Sequence, residues 1–312
     1  MEYRNLGRSG LLVSVVGLGC NNFGRRCDAG QTAAVVNAAI DHGINLFDTA
    51  DVYGPRGLSE EYLGKALAGR RHEVVVATKF RGQMGEGPMK SGASRRYIIQ
   101  AAEDSLRRLG TDYIDLYQIH SPDPATPIEE TMRAIDDLVR QGKVRYAGHS
   151  NFSGWQTVEA AWISEARGIV PFISAQNAYS LLDRAVEKEL VPACTKYGVG
   201  ILPYFPLASG FLTGKYKRGA AMPEGARLTN MGAMAERIVN DQNWDKVEKL
   251  EAFATGQGHT ILELAVGWLA SQAHVGSVIS GATSPAQVEA NVKAGDWRLT
   301  AEQMAEVDGL TK

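Results

Sequence analysis

Residues 44–54 read INLFDTADVYG. Ile44, Leu46 and Phe47 form an apolar run of the length of a buried strand, and Asp48 closes it with no turn residue in between. Tyr53 follows five positions later, just ahead of Gly54. A buried carboxylate without a partner is strongly unfavourable. The end of a neighbouring strand must therefore supply a cation or hydrogen-bond donors.

Working outward, strand runs alternate with helical runs. Residues 2–14 read as a hairpin, with Tyr3 and Leu6 before Gly7-Arg8-Ser9-Gly10 and an apolar run after it. The strand runs are VVGLG (15–19), INLFD (44–48), EVVVATK (73–79), YIDLYQIH (113–120), VRYAGHS (144–150), PFISAQ (171–176), VGILPYFP (199–206) and VGSVISG (275–281). Helical periodicity appears over 30–43, 59–69, 94–110, 126–142, 154–167, 183–197, 259–272 and 285–294. In the first helix Ala34, Val35, Ala38, Ala39 and His42 share one side. Ser94 suits an N-cap, Gly110 a C-terminal stop and Pro127 a first turn.

Such alternation predicts parallel strands joined by helical crossovers. No linker or compositional break divides the chain, so the expectation is α/β: one domain over 1–312, a (β/α)8 TIM barrel with an N-terminal β-hairpin. The long Gly-rich segment 205–243, after the seventh barrel strand, reads as an irregular functional lid.

Composition narrows the function. The 312 residues are 44% apolar and 22% charged, with net charge −2, which lacks the basic excess of a nucleic-acid footprint. The pairs Arg25-Arg26, Arg70-Arg71 and Arg107-Arg108 read as solvated faces. No apolar run has the ~18 residues of a membrane span, and MEYRNLGRSG lacks the apolar core of a signal peptide. Cys20, Cys27 and Cys194 include no CxxC, which fits free thiols in a reducing cytoplasm. The six histidines show no HxH or HExxH spacing, so no metal is expected.

The strand ends carry the chemistry. Asp48, Lys79, His120, Ser150-Asn151, Gln176 and Tyr204 recur at roughly the length of one βα unit. In a barrel these positions meet at the C-terminal rim, where active sites sit. Lys79 then becomes the partner that Asp48 requires.

The ordered motifs FDTADVYG, VVVATKF, YIDLYQIHSPD, GHSNF, SAQNAYS, YFPLASGFLTGKY and SGATSPAQVEANV resemble the aldo-keto reductase family over essentially the whole chain, closest to its bacterial reductase and potassium-channel β-subunit branch. The resemblance implies a catalytic tetrad of Asp48, Tyr53, Lys79 and His120. Tyr53 would donate the proton, Lys79 would lower its pKa, Asp48 would hold Lys79, and His120 would polarise the carbonyl. It also implies NADP(H), with NAD(H) as the alternative, and a small carbonyl or alcohol substrate.

The implied cofactor contacts run along the chain. Cys20, Asn21 and Asp48 would face the cofactor or substrate, and Ser150, Asn151 and Gln176 the carboxamide. Tyr204 would stack on the nicotinamide. Phe205, Pro206, Leu207, Ser209, Gly210, Leu212 and Lys215 would follow the pyrophosphate, with Arg227 from the lid. Gly281, Thr283, Gln287 and Asn291 would hold the adenosine end. Two positions depart from the family: Ala290 stands where a Glu usually reads the adenine, and Thr283 where an Arg or Lys usually meets the 2′-phosphate. The implied substrate pocket is Asn21, Tyr53, Phe80 and His120, with Asn22, Phe23 and Tyr204 nearby, Met231 and Met234 above it, and residues 81–93 at its entrance.

Three other readings compete. GLGCNNFG (17–24) starts like a dinucleotide fingerprint but lacks the third glycine and opens no helix. A metal-dependent hydrolase has no ligand spacing to support it. A cofactor-binding sensor or accessory subunit with slow turnover shares every motif, and only the complete tetrad argues against it. The sequence carries no sign of oligomeric state.

Overall fold

A computed structural model describes residues 1–311, except the side chains of Asn230, Ala233 and Met234. The expected position of Met234 over the pocket lies outside the described residues. Strands β1 (Tyr3–Asn5) and β2 (Leu12–Ser14) form the antiparallel hairpin. Eight parallel strands follow: β3 (Val16–Gly19), β4 (Leu46–Asp48), β5 (Val75–Phe80), β6 (Ile114–Ile119), β7 (Val144–Ser150), β8 (Phe172–Ala178), β9 (Gly200–Tyr204) and β10 (Val278–Gly281). Their spatial order is β10-β3-β4-β5-β6-β7-β8-β9. A parallel bridge from Ile201 to Val275 brings the two edges together, so the sheet is a nearly closed (β/α)8 barrel.

The helices are α1 (Ala29–Asp41), α2 (Leu58–Ala66), α3 (Arg95–Leu109), α4 (Ile128–Arg140), α5 (Gly154–Arg167), α6 (Leu190–Tyr197), α7 (Ala233–Glu236), α8 (Asp241–Gly256), α9 (Ile261–Ala270), α10 (Pro285–Ala294) and α11 (Ala301–Thr311). Those between strands pack outside the barrel, and a large apolar cluster fills the space between the layers. A second, smaller cluster fills the barrel itself: Leu46, Val75, Ala77, Leu116, Leu202 and Ile279, closed below by Leu6 and Val13 of the hairpin. The hairpin fits because Gly7 has φ +56° and no side chain. A Cβ there would lie 2.6 Å from the carbonyl oxygens of Ile173 and Gly198.

Several expectations change. The helix expected over 183–197 is broken into a 3-10 turn (Ala185–Glu187) and α6. Pro192 removes a backbone donor and its ring would clash with the carbonyl of Lys188 in a continuous helix. The inward face of α1 is Thr32, Val35, Val36 and Ala39, which leaves His42 exposed. Helices α8 and α11 have no counterpart in the sequence reading. Only Val247, Leu250 and Ala254 are buried on α8, a stripe too narrow to stand out. The lid is less irregular than expected, with 3-10 turns at Ala208–Thr213 and Leu228–Asn230 and the short α7.

The basic pairs are not simply solvated. Arg71 pairs with Asp115 (2.7 Å), and Arg108 with buried Glu60 (2.6 Å). In each pair one guanidinium faces inward to tie outer elements together.

Candidate active site

The strand alternation places every second residue of β5 in the barrel, so Val75, Ala77 and Lys79 point inward. Lys79 is fully buried. Its Nζ donates to Asp48 Oδ2 (2.6 Å), to the carbonyl of Thr49 (2.8 Å) and to Tyr53 Oη at 3.5 Å. Asp48 Oδ1 accepts from Gln176 Nε2 (2.8 Å) and Gln118 Nε2 (3.3 Å). The carboxylate at the end of β4 is thus matched by a cation and two amides, all from strand ends.

Tyr53 and His120 meet edge-on, with ring centroids 5.6 Å apart, at the mouth of this network. Burial holds the Tyr53 phenol above its ordinary pKa, and the Lys79 ammonium offsets only part of that effect. The expectation of a net lowering is therefore corrected: desolvation outweighs the cation. For Lys79, burial opposes the charge, but Asp48 and then Tyr53 outweigh it and hold the ammonium protonated. His120 is pushed down to about 3, by burial first and then by the charges of Lys79 and Arg81. It is neutral at physiological pH. Together these groups can hydrogen-bond a carbonyl oxygen and deliver a proton to it.

The rim beside them is cross-linked. Asn151, at φ +60°, donates through Nδ2 to the carbonyl of His120 (2.9 Å) and accepts from Tyr204 Oη (2.7 Å). Ser150 Oγ donates to the carbonyl of Gln176 (2.8 Å).

From this mouth a cavity of about 770 Å³ runs toward the N-terminus of α10. Of the expected cofactor and pocket residues, the structure brings to it Asn21, Asp48, Tyr53, His120, Ser150, Asn151, Gln176 and Tyr204. It also brings Phe205, Pro206, Leu207, Ser209, Gly210, Lys215 and Arg227 from the lid side, and Gly281, Thr283, Gln287 and Asn291 from the far end. Five expected residues, and all of 81–93, are not in its lining. Phe23 is fully buried in the outer core, and Met231 packs against that core. Cys20 is fully buried with Sγ toward the carbonyl of Leu18 (3.6 Å), Phe80 packs on Tyr117 (4.8 Å between centroids), and Leu212 is buried in the outer core. Lys79 also lies behind the lining and reaches the cavity only through Tyr53 and Asp48.

At the far end Thr283 N–H and Oγ1 both bond Gln287 Oε1 (2.9 and 3.2 Å), and Asn291 Nδ2 bonds the carbonyl of Gly281 (3.3 Å). Ala290 lines the cavity beside them and offers no polar atom beyond its backbone.

The comparisons with known proteins agree with this geometry. The sequence profile of the aldo/keto reductase family matches residues 15–312. The chain belongs to the aldo/keto reductase family. A probable voltage-gated potassium channel subunit beta of Arabidopsis thaliana is 40% identical over 304 residues, covering 95% of this chain and 92% of the relative. An L-glyceraldehyde 3-phosphate reductase of Escherichia coli O157:H7 is 34% identical over 320 residues, covering 99% and 92%. An uncharacterised oxidoreductase of Bacillus subtilis, YrpG, is 36% identical and covers 97% and 93%. As a member of this family the protein is an oxidoreductase, and the family generally uses nicotinamide dinucleotides.

The residues present fit a dinucleotide carrying phosphates. Phe205, Ala208, Ser209 and Gly210 all have positive φ, which curls the start of the lid into a concave turn. Gly210, at φ +97°, holds a backbone conformation that favours glycine, and Lys215 Nζ lies beside it. Ser209 Oγ and Ser280 Oγ are buried without a partner among the described residues, and both residues line the cavity.

The sequence reading missed Arg26. The turn Asn22–Cys27 is closed by Arg26 N–H and Cys27 N–H bonding the carbonyl of Asn22 (2.8 and 3.0 Å). It turns Arg26 toward the lid, where the guanidinium bonds the carbonyl of Gly225 (3.0 Å) and lines the cavity. Arg26, Lys215 and Arg227 form no ion pair among the described residues, although Glu224 lines the same cavity. Burial and then the charge of Arg26 lower the pKa of both Lys215 and Arg227, the mark of an unneutralised cationic cluster. No residue type or spacing singled out Arg26, because the turn that aims it is defined by backbone hydrogen bonds.

Among the described residues there is no group of three or more potential metal ligands, and no helix is long and apolar enough to cross a membrane.

Proposed function

We propose that the protein is an NADP(H)-dependent carbonyl reductase that interconverts aldehydes or ketones with alcohols. The observation that carries this reading is the buried Lys79–Asp48 pair with Tyr53 Oη 3.5 Å from Lys79 Nζ and a neutral His120 against its ring. When bound, the nicotinamide supplies or accepts the hydride. Tyr53 gives the proton to the substrate oxygen, and Lys79 stabilises the phenolate left behind. Asp48, fixed by Gln176 and Gln118, keeps Lys79 aimed. His120, neutral and held by desolvation, hydrogen-bonds the substrate oxygen and carries no charge to repel Lys79. Tyr204, tied to Asn151, offers a flat wall for the nicotinamide. Ser150, Asn151 and Gln176 face its carboxamide, and Ser209 and Lys215 its pyrophosphate. Gly281, Thr283, Gln287 and Asn291 border the adenosine.

Three unpaired cations favour NADP(H) over NAD(H). A pyrophosphate brings about two negative charges and a 2′-phosphate adds ~2 at neutral pH. Arg26 and Arg227 offset the absence of a cation at Thr283.

The test is a fluorescence titration with NADPH and NADH, followed by single-turnover oxidation with 4-nitrobenzaldehyde. Tighter NADPH binding and rapid oxidation are expected. Failure to bind either nucleotide would overturn the reading.

The relatives named as potassium channel subunits beta support a second reading, a cofactor-binding accessory subunit with slow turnover. Tight NADPH binding without oxidation by any reactive aldehyde would favour it.

A further inference from the structure

Residues 48–53 read DTADVY, so a second acid, Asp51, stands three residues after Asp48 and two before Tyr53. The proton transfer described above does not use it. Asp51 is fully buried and is not part of the cavity lining. It belongs to a polar cluster behind the barrel wall, with Glu60 of α2, Thr78 of β5, Tyr97 and Arg108 of α3 and Tyr117 of β6.

This cluster holds two carboxylates and one cation. Glu60 takes Arg108 Nε on one oxygen (2.6 Å) and Thr78 Oγ1 on the other (2.5 Å). Lys79, the other cation whose charge Asp51 feels, is spent on Asp48 (2.6 Å). Asp51 accepts from the amide of Val52, and neither of its oxygens has a side-chain partner among the described residues. Of the other titratable groups, Tyr97 and Tyr117 bring no positive charge, and Asp104 of α3 pairs with Arg107 (2.8 Å). Arg81 follows β5, but its charge is felt at His120 and Asp123. A buried carboxylate that no cation matches is strongly unfavourable, so the cluster holds a proton, and Asp51 is the carboxyl free to carry it. Burial, and then Glu60, act in the same direction.

The turn that contains Asp51 is tied to Lys79 from both sides. The amide of Asp51 donates to the carbonyl of Lys79 (3.1 Å), and Lys79 Nζ donates to the carbonyl of Thr49 (2.8 Å). The amide of Tyr53 donates to the carbonyl of Ala50 (3.1 Å), which closes the turn that aims the phenol. Val52 is hemmed in by Gly82, where a Cβ would fall 2.1 Å from Val52 Cγ1. The turn has little slack, and a shift of Asp51 is passed to Tyr53 and its 3.5 Å contact with Lys79.

We propose that Asp51 is a pH-dependent positioning residue. With its carboxyl protonated, the turn 48–53 holds Tyr53 in register with Lys79. Loss of that proton to solvent repels Asp51 from Glu60 and draws it toward Arg108, which moves the turn and slows reduction. The effect on rate rests on the carbonyl-reductase reading; the movement of the turn does not.

The test is the pH profile of single-turnover reduction at saturating NADPH, with 4-nitrobenzaldehyde, which has no titrating group. The parent's rate is expected to fall about 10–100-fold between about pH 6 and about pH 9, the scale of loss that ~1 Å of misplacement brings. Tyr53 is held above its ordinary value and His120 lies at about 3, so neither titrates in that range. Asp51→Asn, the isostere of the protonated carboxyl, should hold the parent's low-pH rate across the whole range. Glu60→Gln removes the neighbouring charge and frees Arg108, so the step should move to lower pH. A flat parent profile, a step that survives in Asp51→Asn, or one unmoved in Glu60→Gln overturns the proposal. If no aldehyde is reduced, the reductase reading has failed, and the turn is followed by amide hydrogen exchange instead. The exchange rates at positions 51 and 53, taken as the ratio of parent to Asp51→Asn, should then rise over the same pH range. A constant ratio overturns the positioning role.

Discussion

Two buried ion pairs of equal length do different work in this barrel. Lys79 and Asp48 meet at 2.6 Å inside the rim, with side chains 0% and 4% exposed. Arg108 and Glu60 meet at 2.6 Å outside it, with side chains 10% and 0% exposed. Glu60 is fully consumed: one oxygen takes Arg108 Nε and the other takes Thr78 Oγ1 at 2.5 Å. That pair clamps α2 and α3 onto β5. Lys79 retains a third contact, to Tyr53, and Asp48 borders the cavity. Burial and bond length do not separate a structural pair from one placed for chemistry; the contact left over, and the space it faces, do. His120 and His149 repeat the lesson. Burial pushes both down to about 3. His149 stacks on Phe152 and meets the edge of Phe172, whereas His120 meets Tyr53 at the cavity.

The comparison can be broken by substitution. The largest effect is expected at the proposed proton donor: Tyr53→Phe should cut single-turnover reduction by about 10³–10⁴-fold, the scale of general acid catalysis. Its NADPH affinity should stay within a few-fold of the parent's, and an equally active variant would remove Tyr53 from the mechanism. The outer pair should respond in stability instead. Arg108→Ala strands a buried carboxylate, so urea unfolding should show a loss of about 3–5 kcal/mol. The turnover of its folded fraction should lie near the parent's.

Asp51 sharpens the contrast, since it feels the charges of both pairs while neither carboxylate oxygen has a side-chain partner among the described residues. Burial, and then Glu60, raise it to about 7. Its native pKa exceeds its unfolded value near 3.8, so the native state binds the extra proton and stability falls as pH rises from about 4 to about 7. Asp51→Asn should remove that slope and stabilise the protein above pH 7 by roughly 2–4 kcal/mol, the scale of about three pKa units. A pH profile identical to the parent's would mean that Asp51 is charged throughout. The smallest effect is expected at Arg26. Arg26→Ala should weaken NADPH by about 5–20-fold, as loss of one charged hydrogen bond does. Loss for NADPH alone would place Arg26 at a 2′-phosphate, and equal loss for NADH would place it at the pyrophosphate.

Some of the errors of the sequence reading were avoidable. Lys79 and Phe80 are neighbours on one strand and cannot both face the barrel, so alternation alone should have sent Phe80 to the helix layer. Cys20 and Leu212 failed differently, because each follows a strand and its direction is set by a turn. Arg26 was hidden for the same reason. In loops the side-chain direction depends on individual φ values and long-range hydrogen bonds, and no periodicity reports those.

The sequence by itself determined the order of strands and helices, the barrel, and the polar residue at each strand end. Apolar periodicity and the parallel βα repeat force the strand ends onto one rim, so residues far apart in the chain need no further information to meet. Only the tertiary structure decided which cations remain unpaired at that rim, and that burial rather than Lys79 governs Tyr53. Ion pairing and desolvation are sums over everything that packs around a group, and those neighbours are assembled from the whole chain.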